Sequence, residues 1–324
     1  MAQTSGFDPL KKHTYGLLGS WDTGIGRGSF EATYINQTTT LPITFFGFKR
    51  SSYLGTVENR IEDTGAFLVG SPSLFWLSPY ASLQVGWKYL QRDYLTTSAK
   101  RTGPTINISY ANYSKSGAEI SPESGWGGFL SADSFIEQAD YLQYSQFSAV
   151  GLKYISRFLP RHHALMIRVA GMYTPEEISS IYGGSTESLV FASDSVLPQY
   201  IMRGYTRGQI FGRNIANANI EYRFPIYRFE HGAGTDALFL HNMVGALVAD
   251  GITVDGRFLN EEAGFYEPVS MLKQSFWSAG AEFKFETTLG YTFPFNLILG
   301  TYAAFNEPTG TEYSFGTRFQ FSGF

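Results

Sequence analysis

The last thirteen residues of the chain, 312–324, alternate between aromatic and polar side chains. Successive side chains of a strand point to opposite faces, so one face of this segment is aromatic and the other is polar and charged. A soluble β-sandwich shows the same alternation with its apolar face turned inward. Because the chain ends here on an aromatic residue after many similar segments, the pattern favours the closing strand of an outer-membrane β-barrel. The candidate recognition residues of this strand are Phe319, Phe321 and Phe324.

Composition narrows the class of protein further. Aromatic residues make up 17% of the chain, which suits the aromatic girdles of a membrane barrel. The sequence contains no run of about 18 apolar residues, which excludes a transmembrane helix. The absence of cysteine excludes disulfides, thiolate metal sites and cysteine nucleophiles. The net charge of −4 without a basic run argues against nucleic acid as a partner.

Alternating segments recur along the chain and are separated by Gly, Pro, Asn, Asp and Ser. They predict a single transmembrane, antiparallel, up-and-down β-barrel over residues 13–324, preceded by a periplasmic lead-in over 1–12. We count fourteen strands, and twelve to sixteen remain possible because strand ends are uncertain by a few residues. The predicted strands are 13–22, 28–36, 42–49, 64–74, 81–91, 104–113, 124–133, 143–157, 161–173, 213–226, 236–249, 275–288, 296–305 and 312–322.

Three segments show the two faces clearly, namely 83–89, 216–226 and 277–286. In each of them every charged side chain lies on the polar face, which would face the lumen. A charge on the lipid face would cost roughly 2–4 kcal/mol near the bilayer midplane. By the same reasoning Arg168, Arg223 and Arg318 are predicted to be charges of the lumen wall.

The connections alternate between short turns, such as 37–41, 77–80 and 158–162, and longer loops. The longer loops are predicted at 50–63, 92–103, 174–212 and 250–274. Short periplasmic turns and long external loops are typical of outer-membrane barrels. The stretch 114–123 is longer than a periplasmic turn, and we interpret it as a strand pair extended beyond the membrane. The loop 174–212 far exceeds an ordinary connection, which suggests a function.

Two motifs near this loop indicate a family. Arg203-Gly204-Tyr205 resembles the Val-Arg-Gly-Tyr/Phe loop motif of the BamA/TamA surface-antigen superfamily. Glu221-Tyr222-Arg223-Phe224-Pro225 resembles the strand that follows that loop in the family. The resemblance covers about 185–324 and is only architectural over 1–184. Some relatives carry repeated periplasmic modules, and others resemble barrels fused to TolB-like propellers.

The resemblance implies that the long loop folds back into the lumen, where Arg203 would contact acidic or aromatic groups of the wall. The family commonly has an acidic residue in the strand that corresponds to 236–249, and here His241 or Asn242 stands at about that place. A guanidinium in a confined lumen requires a carboxylate or carbonyl partner. The candidate residues of this lumen cluster are Glu221, Arg223, His241, Glu282 and Glu286.

No catalytic or metal-binding pattern is found in the sequence. His162 and His163 fall in a predicted turn without an acidic residue nearby in sequence, which is typical of a surface pair. No serine or aspartate spacing around the five histidines marks a catalytic triad. The segment Gly24-Ile-Gly-Arg-Gly28 does not join a strand to a helix, so we interpret it as a hairpin loop rather than a phosphate site. We therefore expect no enzyme activity, cofactor or metal.

Three functions remain open at this point. The resemblance implies assembly, insertion or translocation of outer-membrane proteins, with a seam between edge strands 13–22 and 312–322 that templates a client strand. Alternatively the barrel is a passive membrane anchor for a periplasmic domain, or a porin-like channel. The expected partners are the lipid bilayer and lipopolysaccharide, client proteins, and a periplasmic domain or accessory proteins. The opening residues Met1-Ala-Gln-Thr-Ser-Gly6 do not form a secretion signal, so we expect that an upstream segment has been removed.

Overall fold

Over the residues that it describes, the computed structural model contains sixteen β-strands in one antiparallel sheet, in which strands that follow one another in the chain are neighbours. The short β13 pairs with β12 beside this path. The structure describes residues 2–22, 27–54, 56–72, 78, 80–93, 98–114, 120–136, 144–175, 200–205, 210, 214–232, 238–260, 265–269, 275–289, 293–307 and 310–321. Within these residues, no helix is long and apolar enough to cross a membrane.

The strands differ in length from five to twenty-three residues. Their bounds are β1 Ala2–Phe7, β2 His13–Asp22, β3 Arg27–Asn36, β4 Ile43–Leu54, β5 Thr56–Gly70, β6 Ala81–Asp93, β7 Ser98–Ala111, β8 Gly125–Phe135, β9 Tyr144–Ile155, β10 Ala164–Tyr173, β11 Asn214–Gly232, β12 Leu238–Asn260, β13 Phe265–Val269, β14 Ser275–Leu289, β15 Phe293–Glu307 and β16 Gly310–Phe321.

Fourteen of these strands, β2–β12 and β14–β16, correspond to the fourteen predicted ones. The other two were not predicted, and β1 lies within the stretch expected to be a lead-in. It pairs with β2 through a turn that Asp8 closes, since the Asp8 carboxylate accepts from the backbone nitrogen of His13 at 2.6 Å. Because β2 pairs with both β1 and β3, the prediction of 13–22 as an edge strand is wrong.

Three of the predicted long loops are largely strand. The predictions of loops at 50–63, 92–103 and 250–274 are wrong over the described residues, because β4 and β5, β6 and β7, and β12 and β13 extend into them. These extensions carry polar residues on both faces, so the alternation that marks a half-buried strand fades although the backbone pairing continues. The hydrogen bonds of the ladder do not depend on side-chain polarity.

The chain divides into two compact units. The first comprises residues 1–110, 129–148 and 173–178, and the second comprises 111–128, 149–172 and 179–324. In the first unit, Val85 and Trp87 of β6 are exposed, whereas the next residue, Lys88, is half-buried and binds Asp133 at 2.6 Å. This separation of faces agrees with the alternation seen in 83–89.

The second unit exposes its apolar face and buries its polar face. Ile220 on β11 is 48% exposed and Leu247 on β12 is 54% exposed. On the opposite face of β11, Asn219, Glu221 and Arg223 are fully buried. A protein that folds in water shows the opposite arrangement, because large apolar side chains prefer the interior and charges prefer water. The faces predicted for 216–226 and 277–286 are therefore confirmed.

Candidate functional site

The most densely charged part of the second unit surrounds the described segment Tyr200–Tyr205, which we call the inner loop. It lies against the polar face of β11, β12, β14 and β15, and Ile201, Met202, Arg203 and Tyr205 are buried. Met202 and Tyr205 belong to an apolar cluster that also contains Phe276 of β14. The inner loop is therefore held both by packing and by its charge.

The guanidinium of Arg203 contacts three carboxylates on three strands. Its Nη2 donates to Glu221 Oε1 of β11, its Nη1 lies 3.0 Å from Asp250 Oδ1 of β12, and its Nε lies 3.1 Å from Glu282 Oε1 of β14. The backbone nitrogen of Arg203 also donates to Asp250 Oδ2 at 3.1 Å. Arginine suits this position because its planar fork donates in several fixed directions at once.

The three carboxylates meet because of the strand register. Glu221 lies opposite Val248, and Asp250 is two residues further along β12 on the same face. Glu282 lies opposite Ala246, two residues in the other direction from Val248. Side chains two residues apart point to the same face of a strand. The acids therefore form a triangle on the neighbouring strands β11, β12 and β14, with Asp250 on the middle strand.

Two further arginines balance the charge of this cluster. Arg223 donates to Glu221 Oε2 from Nη2 at 2.6 Å and from Nε at 3.0 Å. Arg168 donates to Asn219 Oδ1 at 3.3 Å. With Arg203 these make three buried guanidinium groups for three buried carboxylates. Attraction between buried charges of opposite sign offsets part of the desolvation penalty that each charge incurs on burial.

Two asparagines of β11 fix the backbone of the inner loop. Asn217 donates from Nδ2 to the Ile201 carbonyl at 2.9 Å and accepts from the Ile201 backbone nitrogen at 3.1 Å. Asn219 donates from Nδ2 to the same carbonyl at 2.8 Å and to Asp250 Oδ1 at 2.8 Å. The strand wall therefore satisfies both backbone polar groups of Ile201, as buried backbone requires.

Gly204 has a backbone φ of +90°, where side-chain-bearing residues are strained. A Cβ atom at this position would lie 3.3 Å from the Cβ of Tyr302. We expect Gly204→Ala to lower the free energy of unfolding by roughly 1–3 kcal/mol. Equilibrium urea unfolding in lipid vesicles measures this change. Gly16→Ala is the matched control because nothing lies within 4 Å of its added methyl group, and equal effects of the two changes would contradict the role of Gly204.

Tyr205 anchors the other end of the motif. Its hydroxyl donates to the Trp277 carbonyl at 3.1 Å and to the Phe305 carbonyl, while its ring packs edge-on against Phe276 with centroids 5.6 Å apart. We expect Tyr205→Phe to keep the packing and to lower the free energy of unfolding by about 0.5–1.5 kcal/mol. Urea unfolding tests this, with Tyr227→Phe as the exposed control. An unchanged free energy of unfolding would mean that the hydrogen bonds of the Tyr205 hydroxyl do not stabilise the inner loop.

The structure places the residues predicted for the lumen cluster in two groups. Glu221 and Glu282 contact Arg203, and Arg223 contacts Glu221. His241 contacts Thr288 at 2.8 Å, and Glu286 contacts Lys284 at 2.6 Å. His241 is nine residues from Asp250 along β12, a separation of about 30 Å. It therefore lies too far from the Arg203 cluster to join it.

Asp250 is the residue that the sequence reasoning missed. The strand predicted over 236–249 ends one residue before Asp250, whereas β12 continues to Asn260. Asp250 therefore stands in the strand that follows the β11–β12 turn, on the same face as Val248. The alternation Leu247, Ala249, Gly251 against Val248, Asp250, Ile252 contains a signal for this extension, but the glycine concealed it.

Other predicted site residues lie elsewhere or outside the described part of the chain. Phe319 and Phe321 belong to β16, which pairs with β15, and Phe324 lies outside the described residues. Gly24 lies outside them as well. Among the described side chains, no group of three or more His, Cys, Asp or Glu residues is arranged to hold a metal ion.

Comparisons with known proteins identify the fold. No family model matches the chain, and no curated protein matches it significantly. Among solved structures, it is similar to the crystal structure of BamA from Haemophilus ducreyi lacking POTRA domains 1-3, with 13% sequence identity and a TM-score of 0.60. The match covers 98% of this chain and 68% of that chain. The predicted fold, an antiparallel β-barrel of the BamA type, is confirmed.

Proposed function

We propose that this chain is an outer-membrane barrel that assembles, inserts or translocates proteins. The observation that carries the proposal is that Arg203 forms salt bridges with Glu221, Asp250 and Glu282 within a BamA-like fold. Arg203 belongs to the Arg-Gly-Tyr motif by which the sequence resembles the assembly and translocation superfamily. The motif is thus present together with a polar wall that binds it.

The proposed location is the outer membrane, and the exposed faces support it. Large apolar side chains on the second unit, including Ile220, Leu247 and Trp277, are about half exposed, while the charges behind them are buried. Lipid is the solvent in which such an arrangement is favourable, because the exposed apolar side chains are not transferred to water. Lipid and lipopolysaccharide are the proposed surroundings.

The proposed mechanism is mechanical rather than catalytic. The inner loop ties β11, β12 and β14 together through one guanidinium, which makes this part of the wall stiff. A client strand would then pair with an open edge, since unpaired backbone groups of an edge strand template another strand. In the strand order β1 and β16 are the terminal strands, so these are the proposed edges.

Depletion of the protein in the cells that make it tests the assembly function. We expect other outer-membrane barrels to accumulate unfolded in the periplasm, and complementation by the wild-type chain to restore them. The variant Arg203→Ala should restore them poorly, whereas Arg157→Ala, an exposed arginine in the β9–β10 turn, should restore them fully. Normal assembly of other barrels after depletion would reject the proposal.

The same cells separate the two alternative functions. If the barrel is a passive anchor, replacing it with an unrelated barrel of equal size should restore growth with its periplasmic partner still attached. If it is a channel, the purified chain should show a large and stable conductance in planar bilayers that Arg203→Ala leaves unchanged. The assembly proposal predicts failure of the replacement and no such conductance.

A further inference from the structure

The connection between β7 and β8 contains a second segment that folds onto the buried face of the second unit. Ile120 and Ser121 are 2% and 1% exposed, and Pro122 is also buried. Since β7 ends at Ala111 and β8 begins at Gly125, the interpretation of the stretch 114–123 as an extended strand pair is wrong over its described residues, 114 and 120–123. We call the described residues 120–124 the inner strap.

The base of this connection is closed by local contacts. The Asn112 backbone nitrogen donates to the Trp126 carbonyl at 3.0 Å, and the Trp126 nitrogen donates to Asn112 Oδ1 at 2.8 Å. Gly125 has a φ of +110°, which permits the sharp change of direction there. Tyr113 packs on Tyr154 with ring centroids 5.2 Å apart. These contacts join the two ends of the connection on either side of the inner strap.

Two polar contacts fix the inner strap to the wall. Ser121 Oγ accepts from Arg223 Nη1 at 2.7 Å. Glu123 Oε1 lies 3.1 Å from His162 Nδ1 in the β9–β10 turn. The contact between Ser121 and Arg223 matters more, because Arg223 belongs to the charge cluster that binds Arg203.

One carboxylate joins the strap to the inner loop. Glu221 binds Arg203 through Oε1 and Arg223 through Oε2. The path from the strap to the loop is therefore Ser121, Arg223, Glu221 and Arg203, and all four residues are at most 1% exposed. Within a buried network, each hydrogen bond orients the groups that make the next one, so removing one member weakens the others.

We infer that the inner strap and the inner loop are energetically coupled through Glu221, so that release of either segment loosens the other. Arg223 is oriented by Ser121, and Arg223 in turn holds the Glu221 carboxylate in the position that receives Arg203. When the strap leaves, Glu221 is less constrained and Arg203 binds more weakly. Thermodynamic coupling is reciprocal, so release of the loop weakens the strap to the same degree. The buried face is thereby uncovered as a unit.

Hydrogen exchange of the chain in detergent micelles tests this inference without reference to assembly activity. The backbone nitrogens of Ile201 and Arg203 donate to Asn217 and Asp250, so their exchange rates report release of the inner loop. We expect Ser121→Ala to accelerate their exchange roughly two- to five-fold. Ser275→Ala is the matched control, since it deletes a hydroxyl that bonds Thr253 in the same unit.

The effect of the inner loop on the inner strap is measured by cysteine labelling, which is specific because the chain contains no cysteine of its own. In an Ile120→Cys background, the rate of reaction with a maleimide reports exposure of the strap. We expect Tyr205→Phe, which loosens the loop without touching the charge cluster, to accelerate that reaction by a similar factor. Faster reaction at position 120 caused by Ser121→Ala, with unchanged exchange at Ile201 and Arg203, would overturn the coupling. So would an Ile120→Cys reaction that neither variant changes.

Discussion

Replacing Arg203 with alanine is expected to produce the largest loss of stability of any single change in the site. The change leaves Glu221, Asp250 and Glu282 buried without the guanidinium that binds them. Removing one partner of a buried ion pair typically costs about 3–5 kcal/mol, because the remaining charge is uncompensated. We expect a decrease of that order in the free energy of unfolding, measured by urea titration in lipid vesicles, together with rapid proteolysis within the inner loop.

Two comparisons show whether charge or packing causes this loss. Arg203→Lys keeps the positive charge but replaces the planar fork with a single ammonium group, so it should recover only part of the stability. Combining Arg203→Met with Glu282→Gln removes one positive and one negative charge while Glu221 remains as the partner of Arg223, so it should also recover part of the stability. Arg157→Ala is the exposed control. If Arg203→Ala and Arg157→Ala were equally stable, the cluster would not hold the loop.

The second large effect is expected on the opposite face of the sheet. Leu247 lies near the middle of β12, is 54% exposed, and has Tyr222 and Ala281 as its strand neighbours. If this face contacts lipid, Leu247→Arg should make folding into vesicles less favourable by roughly 2–4 kcal/mol. The folded fraction is measured by the shift in gel mobility between heated and unheated samples.

The control for this experiment places the same side chain outside the bilayer. Phe158 in the β9–β10 turn is 86% exposed, so Phe158→Arg should change the folded fraction little. Leu247→Ala separates the cost of the charge from the loss of the leucine side chain. In water an exposed arginine at position 247 would be tolerated as well as one at position 158. Equal folding of the two arginine variants would therefore show that this face does not contact lipid.

Much of this arrangement could be read from the residues alone. The alternation of Ile220 and Tyr222 with Asn219 and Glu221 predicted both the strand and its two faces, because a strand has a fixed period of two. The ends of the strands were less predictable, as β12 shows by continuing past 249 to Asn260. Beyond 249 the two faces still differ, since Ile252 and Val254 are buried while Thr253 is half-buried, but Gly251 interrupts the apolar pattern by which the strand was predicted.

The burial of residues 120–122 was not predictable from their sequence. Ser121 and Pro122, which follow Ile120, are turn-forming residues that are common in exposed connections. What buries them is the position of Arg223 on a strand about a hundred residues later, which offers a donor to Ser121. A local pattern does not contain a contact between segments so far apart.

The sequence by itself determined the fold class, the two faces of the strands and the residue that the inner loop presents, Arg203. These follow from local periodicity and from the motif. Only the tertiary structure decided which carboxylates receive that residue. The choice of Asp250 over His241 depends on the register between β11, β12 and β14, which is set by backbone pairing and turns rather than by any one segment. A shift of two residues in that register would bring different side chains under the guanidinium.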